Sequence, residues 1–230
     1  MVTNAALSES SLPVEIPLEE NALHGDLAIP GTPLGLVIFL HASGSNSPSN
    51  RHAAHNLNNK GFATLLVDLL SRQEQKIDSE TMELRFNVPL LATRSISIAR
   101  WATRDSKTRH MPVGLLGTSA GAAAALIAAS VMNGQIAAVV SRGGRPDLAE
   151  EALAQVSSPT LLIVGGDDKR ILDLNRHAIA RIAGICELCV IPGAAHLFEE
   201  PGAMAQATTA TGAWFGRHMR HSTAKNMIAG

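Results

Sequence analysis

The chain has 230 residues, of which 46% are hydrophobic and 17% are charged, and this composition excludes an intrinsically disordered protein. The formal net charge of -1 excludes a broad electrostatic attraction to nucleic acid or to an anionic membrane surface. Residues 1–11 lack the basic and apolar regions of a signal peptide, and no apolar stretch is long enough to span a membrane. We therefore expect a cytoplasmic protein that binds neither nucleic acid nor membranes. The length predicts one domain over residues 1–230, with a core at about 13–219 and a frayed tail at 221–230.

Apolar runs bounded by turn residues alternate along the chain with segments of helical period. The predicted strands are 14–18, 23–29, 36–40, 63–70, 113–117, 136–141, 160–164 and 187–191, the first two forming a hairpin. The predicted helices are 48–60, 88–105, 120–132, 147–155, 172–183 and 202–219. This order predicts an α/β fold with a mostly parallel central sheet flanked by helices on both faces. Only one short helix is predicted between residue 141 and the strand that begins at residue 160, so we expect no large lid, and the polar loop 71–87 is the segment able to fold over a site.

A Gly-x-Ser-x-Gly motif lies at residues 117–121, between a predicted strand and a predicted helix. In this context the serine occupies a tight turn that exposes its hydroxyl above the sheet, and small residues on either side avoid a collision with the backbone. The motif therefore predicts that Ser119 is a catalytic nucleophile. The backbone N–H of Ala120, at the positive end of the following helix, is a candidate oxyanion donor.

Two further strand ends carry the residues that such a serine needs. Asp167 and Asp168 follow strand 160–164, and either carboxylate could orient a histidine. His196 lies in a loop of small residues after the last strand, from which it can reach back to Ser119. We expect His196 to take the hydroxyl proton and later return it to the leaving group, while a carboxylate holds its tautomer.

Over about residues 34–218 the chain resembles the α/β-hydrolase superfamily, and more narrowly its dienelactone-hydrolase-like branch of small, lidless enzymes. Segments 63–70, 141–148 and 196–202 resemble a bacterial subgroup sometimes fused to phosphoribosyltransferase-like domains. The family spacing Gly-x-x-Asp-x-x-apolar, met by Gly165 and Ile171, implies that Asp168 is the triad acid and leaves Asp167 to cap the following turn or helix. The resemblance also implies an α/β-hydrolase fold and hydrolysis of esters or lactones. Dienelactone hydrolases proper, however, use cysteine where this chain has Ser119.

The resemblance further implies that the loop after strand 36–40 supplies the second oxyanion amide, from Ser43 or from Ala42. Loops at the carboxyl ends of the strands line the pocket in such a fold, and several of them carry basic residues. The tentative substrate-binding residues are His41, Arg72, Arg142 and Arg145, with Arg51 nearby. Arginine suits a carboxylate or phosphate, which suggests an anionic substrate. The alternative is that these arginines cap carbonyl groups or pair with Asp147 and Glu150 on the surface.

Together these observations predict a serine hydrolase that cleaves carboxylic esters or lactones of modest size through an acyl-enzyme on Ser119. Two alternatives stay open: the same triad acting on a thioester, amide or carbon–carbon bond, and a non-catalytic binding module on a hydrolase scaffold. We expect no cofactor and no metal, since His52 and His55 share a helix face without a third ligand. The expected partner is a small ester or lactone, and the chain could be a monomer or a homodimer.

Overall fold

Eight strands form one sheet within residues 11–18 and 21–219, the part of the chain that this computed structural model describes. The strands are β1 (Leu12–Pro17), β2 (Ala22–Ala28), β3 (Leu36–His41), β4 (Ala63–Asp68), β5 (Val113–Ser119), β6 (Ile136–Gly144), β7 (Thr160–Gly165) and β8 (Cys186–Ile191). They lie in the order β1-β2-β4-β3-β5-β6-β7-β8, and every pairing from β4 to β8 is parallel. The predicted hairpin and mostly parallel sheet are confirmed. The predicted frayed tail lies outside the described residues.

Helices cover both faces of this sheet, as predicted. They are α1 (Pro48–Asn58), α2 (Arg72–Thr81), α3 (Val88–Ala102), α4 (Ala120–Val131), α5 (Lys169–Ile179) and α6 (Ala203–His218). Apolar residues of α1 and α6 pack against one face, and those of α3, α4 and α5 pack against the other. Because both faces are covered, the central strands are apolar throughout, and all six residues of β3 are buried.

The segment after β4 differs from the prediction, because residues 71–87 are not a loop. They form α2 and a short 3-10 helix, Leu84–Phe86. Ser71 and Glu74 make a capping box at the start of α2, and Glu74 also binds Arg94 of α3 through both carboxylate oxygens, at 2.7 and 2.5 Å. Polar contacts therefore hold this segment against α3, and its prediction as a cover over the site is wrong.

The predicted helix 147–155 is a 3-10 helix, Pro146–Gln155, with a break at Glu150, where φ is 47°. It stays against the core because Pro146, Ala149 and Leu153 are buried. Since this short helix is the whole connection between β6 and β7, the part of the chain that the structure describes has no large lid, as predicted. The carboxyl ends of the central strands therefore lie open.

Candidate active site

Ser119 occupies the turn between β5 and α4, with a φ of 49° and a ψ of -126°. A positive φ strains a residue that has a Cβ, at a cost of about 1–3 kcal/mol. The turn is possible because its glycines leave space: a Cβ on Gly117 would collide with the carbonyl oxygen of Gly121, and one on Gly121 with that of Leu40. The structure thus has the sharp turn that the Gly-x-Ser-x-Gly motif predicts.

His196 and Asp168 lie side by side at the ends of β8 and β7, where His196 Nδ1 is 2.8 Å from Asp168 Oδ2. The two loops are joined by their backbones, because the N–H of Asp167 donates to the carbonyl oxygen of Ala194 at 3.0 Å. Asp167 itself is exposed. Its predicted role as a helix cap is wrong, because Asp168 Oδ1 accepts from the N–H of Ile171 and caps α5 as well. One carboxylate therefore serves both purposes, which also starts α5 three residues earlier than predicted.

Ser119 and His196 line the same cavity, which has a volume of about 230 Å³. Its walls come from the end of β3, the start of α1, the ends of β5 and β6, the His196 loop and α6. The lining residues are His41, Gly44, Ser47, Ser49, Asn50, Thr118, Ser119, Arg142, Gly143, His196, Leu197, Phe198 and Met204. Asp168 lies behind His196, outside this set.

The candidate oxyanion residues belong to two elements, the start of α4 and the loop after β3. Ala120 is the first residue of α4, so its N–H has no partner within the helix. Ala42 and Ser43 are in the loop after β3, which is held in place because the N–H of Ser45 donates to Asp68 Oδ1 at 2.7 Å. Gly44 and Ser47 of this loop line the cavity, whereas Ala42, Ser43 and Ala120 are not among its lining residues.

Two of the four tentative substrate-binding residues lie in this cavity. His41 and Arg142 are only 8% and 6% exposed. Burial, with the nearby Arg142 charge as a smaller cause, lowers the pKa of His41 to about 3, so this imidazole is neutral at pH 7. Burial also lowers the pKa of Arg142 to about 10, which leaves the guanidinium charged. Arg142 donates to Asn50 Oδ1 at 2.8 Å and to Met204 Sδ at 3.4 Å.

The other two arginines are elsewhere, which corrects their prediction as substrate-binding residues. Arg72 begins α2 and lines a separate cavity of about 280 Å³ on the β2 side of the loop after β3. Arg145 forms a bidentate pair with Asp147, which raises the pKa of Arg145 through this hydrogen bond. Arg51 donates to the carbonyl oxygen of Asn46 at 2.6 Å. The surface-pairing alternative is therefore right for Arg145 and Arg51, and wrong for Arg142.

Sequence reasoning missed several residues of the cavity, above all Asn50 of α1 and Met204 of α6. Both belong to helices, whereas the sequence pattern indicates functional groups at the ends of the strands. The sequence carries no local signal for Asn50, because the burial of this polar side chain near the start of α1 is set by the tertiary fold.

Residues 11–18 and 21–219 contain no group of three or more His, Cys, Asp or Glu that could hold a metal ion. No helix in the same ranges is both long and apolar enough to cross a membrane. His52 and His55, the pair considered as metal ligands, line a third cavity of about 670 Å³ beside α1.

An open α/β sheet with a serine in the strained turn between β5 and α4 defines an α/β hydrolase. The chain belongs to the dienelactone hydrolase family, whose model matches residues 23–218. A dienelactone hydrolase from Anabaena variabilis is 43% identical, with a TM-score of 0.89 over 92% of this chain and 99% of that one. Est1E from Butyrivibrio proteoclasticus shares the fold at 16% identity, with a TM-score of 0.74 over 91% of this chain and 99% of that one.

A protein of Mycobacterium tuberculosis H37Rv that carries the name "Putative phosphoribosyl transferase" is 47% identical over 197 residues. The match covers 85% of this chain and 44% of the relative. The chain therefore spans less than half the length of this relative.

Proposed function

We propose that the protein hydrolyses carboxylic esters or lactones of modest size through an acyl-enzyme on Ser119. The observation that carries this proposal is the pair of His196 and Asp168, 2.8 Å apart, with His196 and Ser119 on the wall of one cavity. Because Nδ1 faces the carboxylate, Nε2 is the nitrogen left to act on the serine. The cavity volume of about 230 Å³ favours small acyl groups.

In the first step His196 Nε2 accepts the Ser119 proton while Oγ bonds to the carbonyl carbon, and the carbonyl oxygen takes the negative charge. The N–H of Ala120 and an N–H of Ala42 or Ser43 donate to that oxygen. The bond between the carbonyl carbon and the alcohol oxygen then breaks as His196 returns the proton to that oxygen. Water next attacks the acyl carbon, with His196 again accepting a proton and returning it to Ser119 Oγ, and the acid is released. Asp168 stabilises the imidazolium in both steps.

The same cavity favours a substrate that carries a carboxylate or a phosphate. Arg142 is charged and buried on its wall, and its side-chain partners are an amide oxygen and a thioether sulfur. A buried cation gains most from an anion that completes its hydrogen bonds. We therefore propose that Arg142 receives the anionic group of the substrate.

The direct kinetic test compares wild type with Ser119→Ala on 4-nitrophenyl esters of increasing acyl length. We expect wild type to turn over the short esters, and Ser119→Ala to lose at least about 10⁴-fold in kcat. Ser97→Ala is the matched control, because Ser97 lies on α3 and its hydroxyl bonds only the carbonyl oxygen of Thr93. Wild-type rates in Ser119→Ala would refute the proposal. Turnover of thioesters or amides in preference to esters would keep the triad and change the bond.

A further inference from the structure

The guanidinium of Arg142 is held in place without being neutralised. Among residues 11–18 and 21–219, no carboxylate lies within ion-pair distance of it. Its partner at 2.8 Å is Oδ1 of Asn50, which is itself only 4% exposed. A buried arginine normally has a carboxylate partner. An amide at this position binds the guanidinium and leaves its full charge available to the cavity.

The orientation of the Asn50 amide is fixed by two neighbours. Arg142 can only donate, so the atom facing it must be the amide oxygen. The carbonyl oxygen of Gly44 can only accept, and it lies 3.3 Å from Nδ2. Both neighbours require the same orientation, and the amide therefore connects Arg142 to the loop that carries the candidate oxyanion residues.

This orientation determines the tautomer of His41. Nδ2 of Asn50 lies 3.0 Å from His41 Nε2, so Nε2 must accept and the ring proton must sit on Nδ1. Nδ1 is buried and has no hydrogen-bond partner among the described residues. The low pKa of His41, about 3, keeps the ring neutral and able to accept at pH 7. A protonated ring would oppose both the Asn50 N–H and the Arg142 charge.

We propose that Asn50 is a positioning residue for substrate specificity, which donates to neutral His41 and holds Arg142 toward the cavity as an unneutralised anion receptor. This inference rests on the proposed function, since it concerns how the same cavity selects anionic esters. An aspartate at position 50 would occupy nearly the same volume and would supply the missing counter-ion. It would therefore remove the free charge rather than the space.

The test compares 4-nitrophenyl hydrogen succinate with 4-nitrophenyl butyrate, which match in acyl length and leaving group. The readout is the ratio of their kcat/KM values, because the ratio cancels losses that both esters share, including a shift of the Gly44 loop. We expect wild type to prefer the succinate ester, and Asn50→Asp to lower the ratio about 10- to 100-fold, mainly through KM of the succinate ester. Asn50→Leu removes the acceptor that holds Arg142 but adds no negative charge, and it should lower the ratio less than Asn50→Asp does.

Asn59→Asp is the matched control, since it makes the same change at an exposed position just past the far end of α1 and should keep the wild-type ratio. An unchanged ratio in Asn50→Asp, or no preference for the succinate ester in wild type, overturns the inference. If wild type hydrolyses neither ester, the proposed function fails. Calorimetric titration with succinate then decides the inference, which predicts at least about tenfold weaker binding by Asn50→Asp.

A measurement on the wild-type protein tests the same arrangement without any variant. Nitrogen-15 NMR of the imidazoles at pH 7 distinguishes the two neutral tautomers of histidine. We expect the His41 signals to report a proton on Nδ1 and an unprotonated Nε2. A proton on Nε2, or a doubly protonated ring, would overturn the inference, because Nε2 could not then accept from Asn50.

Discussion

Two buried arginines lie in different regions of the molecule, and only one of them is neutralised by a carboxylate. Arg94 lies between α3 and α2, where it donates to both carboxylate oxygens of Glu74 and to the carbonyl oxygen of Leu69. Arg142 lies on the wall of the Ser119 cavity, where its partners are an amide oxygen and a thioether. The charge of Arg94 is therefore neutralised within the protein, whereas the charge of Arg142 remains available to a ligand.

The contrast extends to the other groups in the two regions. At α2, Asp78 is almost fully buried and accepts from both the backbone and the side chain of Arg85. In the cavity, His41 Nδ1 has no partner in the described part of the chain, and Ser119 keeps a strained backbone. Unsatisfied or strained groups lower stability, and proteins often retain them where binding or catalysis uses them. This difference is the one expected between a structural element at α2 and the proposed functional site at the Ser119 cavity.

The largest expected effect is a difference in activity between variants of the two neighbouring carboxylates after β7, Asp167 and Asp168. Asp168→Asn should lower kcat/KM for a short 4-nitrophenyl ester about 10³- to 10⁴-fold, because the amide no longer stabilises the required tautomer and charge of His196. Asp167→Asn is the matched control and should stay within about twofold, since that side chain is exposed. Equal losses in the two variants would contradict the assignment of Asp168.

Arg94→Met should lower the free energy of unfolding by about 3 kcal/mol, because it leaves both Glu74 and the buried carbonyl oxygen of Leu69 without their donor. Chemical denaturation at pH 7 measures this loss. Arg176→Met, at an exposed pair with Asp173, is the control and should cost less than about 1 kcal/mol. A loss no larger than that of the control would show that the two regions do not differ as described.

Arg142→Met should lower kcat/KM for 4-nitrophenyl hydrogen succinate about 100-fold, equivalent to about 2.7 kcal/mol, with a much smaller loss for the butyrate ester. The free energy of unfolding should change by less than about 1 kcal/mol, since removal of a buried unneutralised charge offsets the lost hydrogen bond to Asn50. Arg145→Met is the kinetic control, because Asp147 already neutralises Arg145 away from the cavity. Equal losses for both esters would contradict a role for Arg142 in anion binding.

The smallest expected effect is a pH dependence at α2. The hydrogen bond from Arg94 lowers the pKa of Glu74 to about 2 from an ordinary value of 4.5. The resulting stabilisation is present above about pH 4.5 and is lost as the pH falls toward 2, and solvent screening limits it to about 1–2 kcal/mol. Denaturation of wild type and Glu74→Gln between pH 6 and pH 2.5 should therefore converge at the acidic end. A difference that stays constant with pH would contradict this account.

The fold was predictable from the sequence wherever burial alone decides the element. Strands such as β3 and β7 are apolar on both faces, so uninterrupted apolar runs mark them. Helix α2 was not predicted because most of its residues are polar and it is held by ion pairs to Arg85 and Arg94, which hydrophobic periodicity cannot report. Its capping box, Ser71 with Glu74, was the one local signal present in the sequence.

The candidate site was predictable in its chemistry but not in its charge arrangement. Ser119, Asp168 and His196 each follow a strand, so topology alone brings them to one edge of the sheet. Arg142 and Arg145 could not be separated, because β6 continues through Gly144 and places only the first on the cavity wall. Asn50 was not predicted because its role depends on contacts that only the tertiary fold creates. Arg142 is 92 residues away in the chain, and the Gly44 carbonyl oxygen comes within reach through the shape of the loop before α1.

Covalent labelling of the folded protein with a fluorophosphonate, followed by peptide mass mapping, tests the proposed role of Ser119 most directly. We expect one label per chain, on Ser119, with labelling abolished in Ser119→Ala and strongly slowed in His196→Ala. Labelling should persist at the wild-type rate in Ser97→Ala. No labelling of the wild-type protein, or a label on another residue, would contradict the claim that Ser119 is an activated nucleophile.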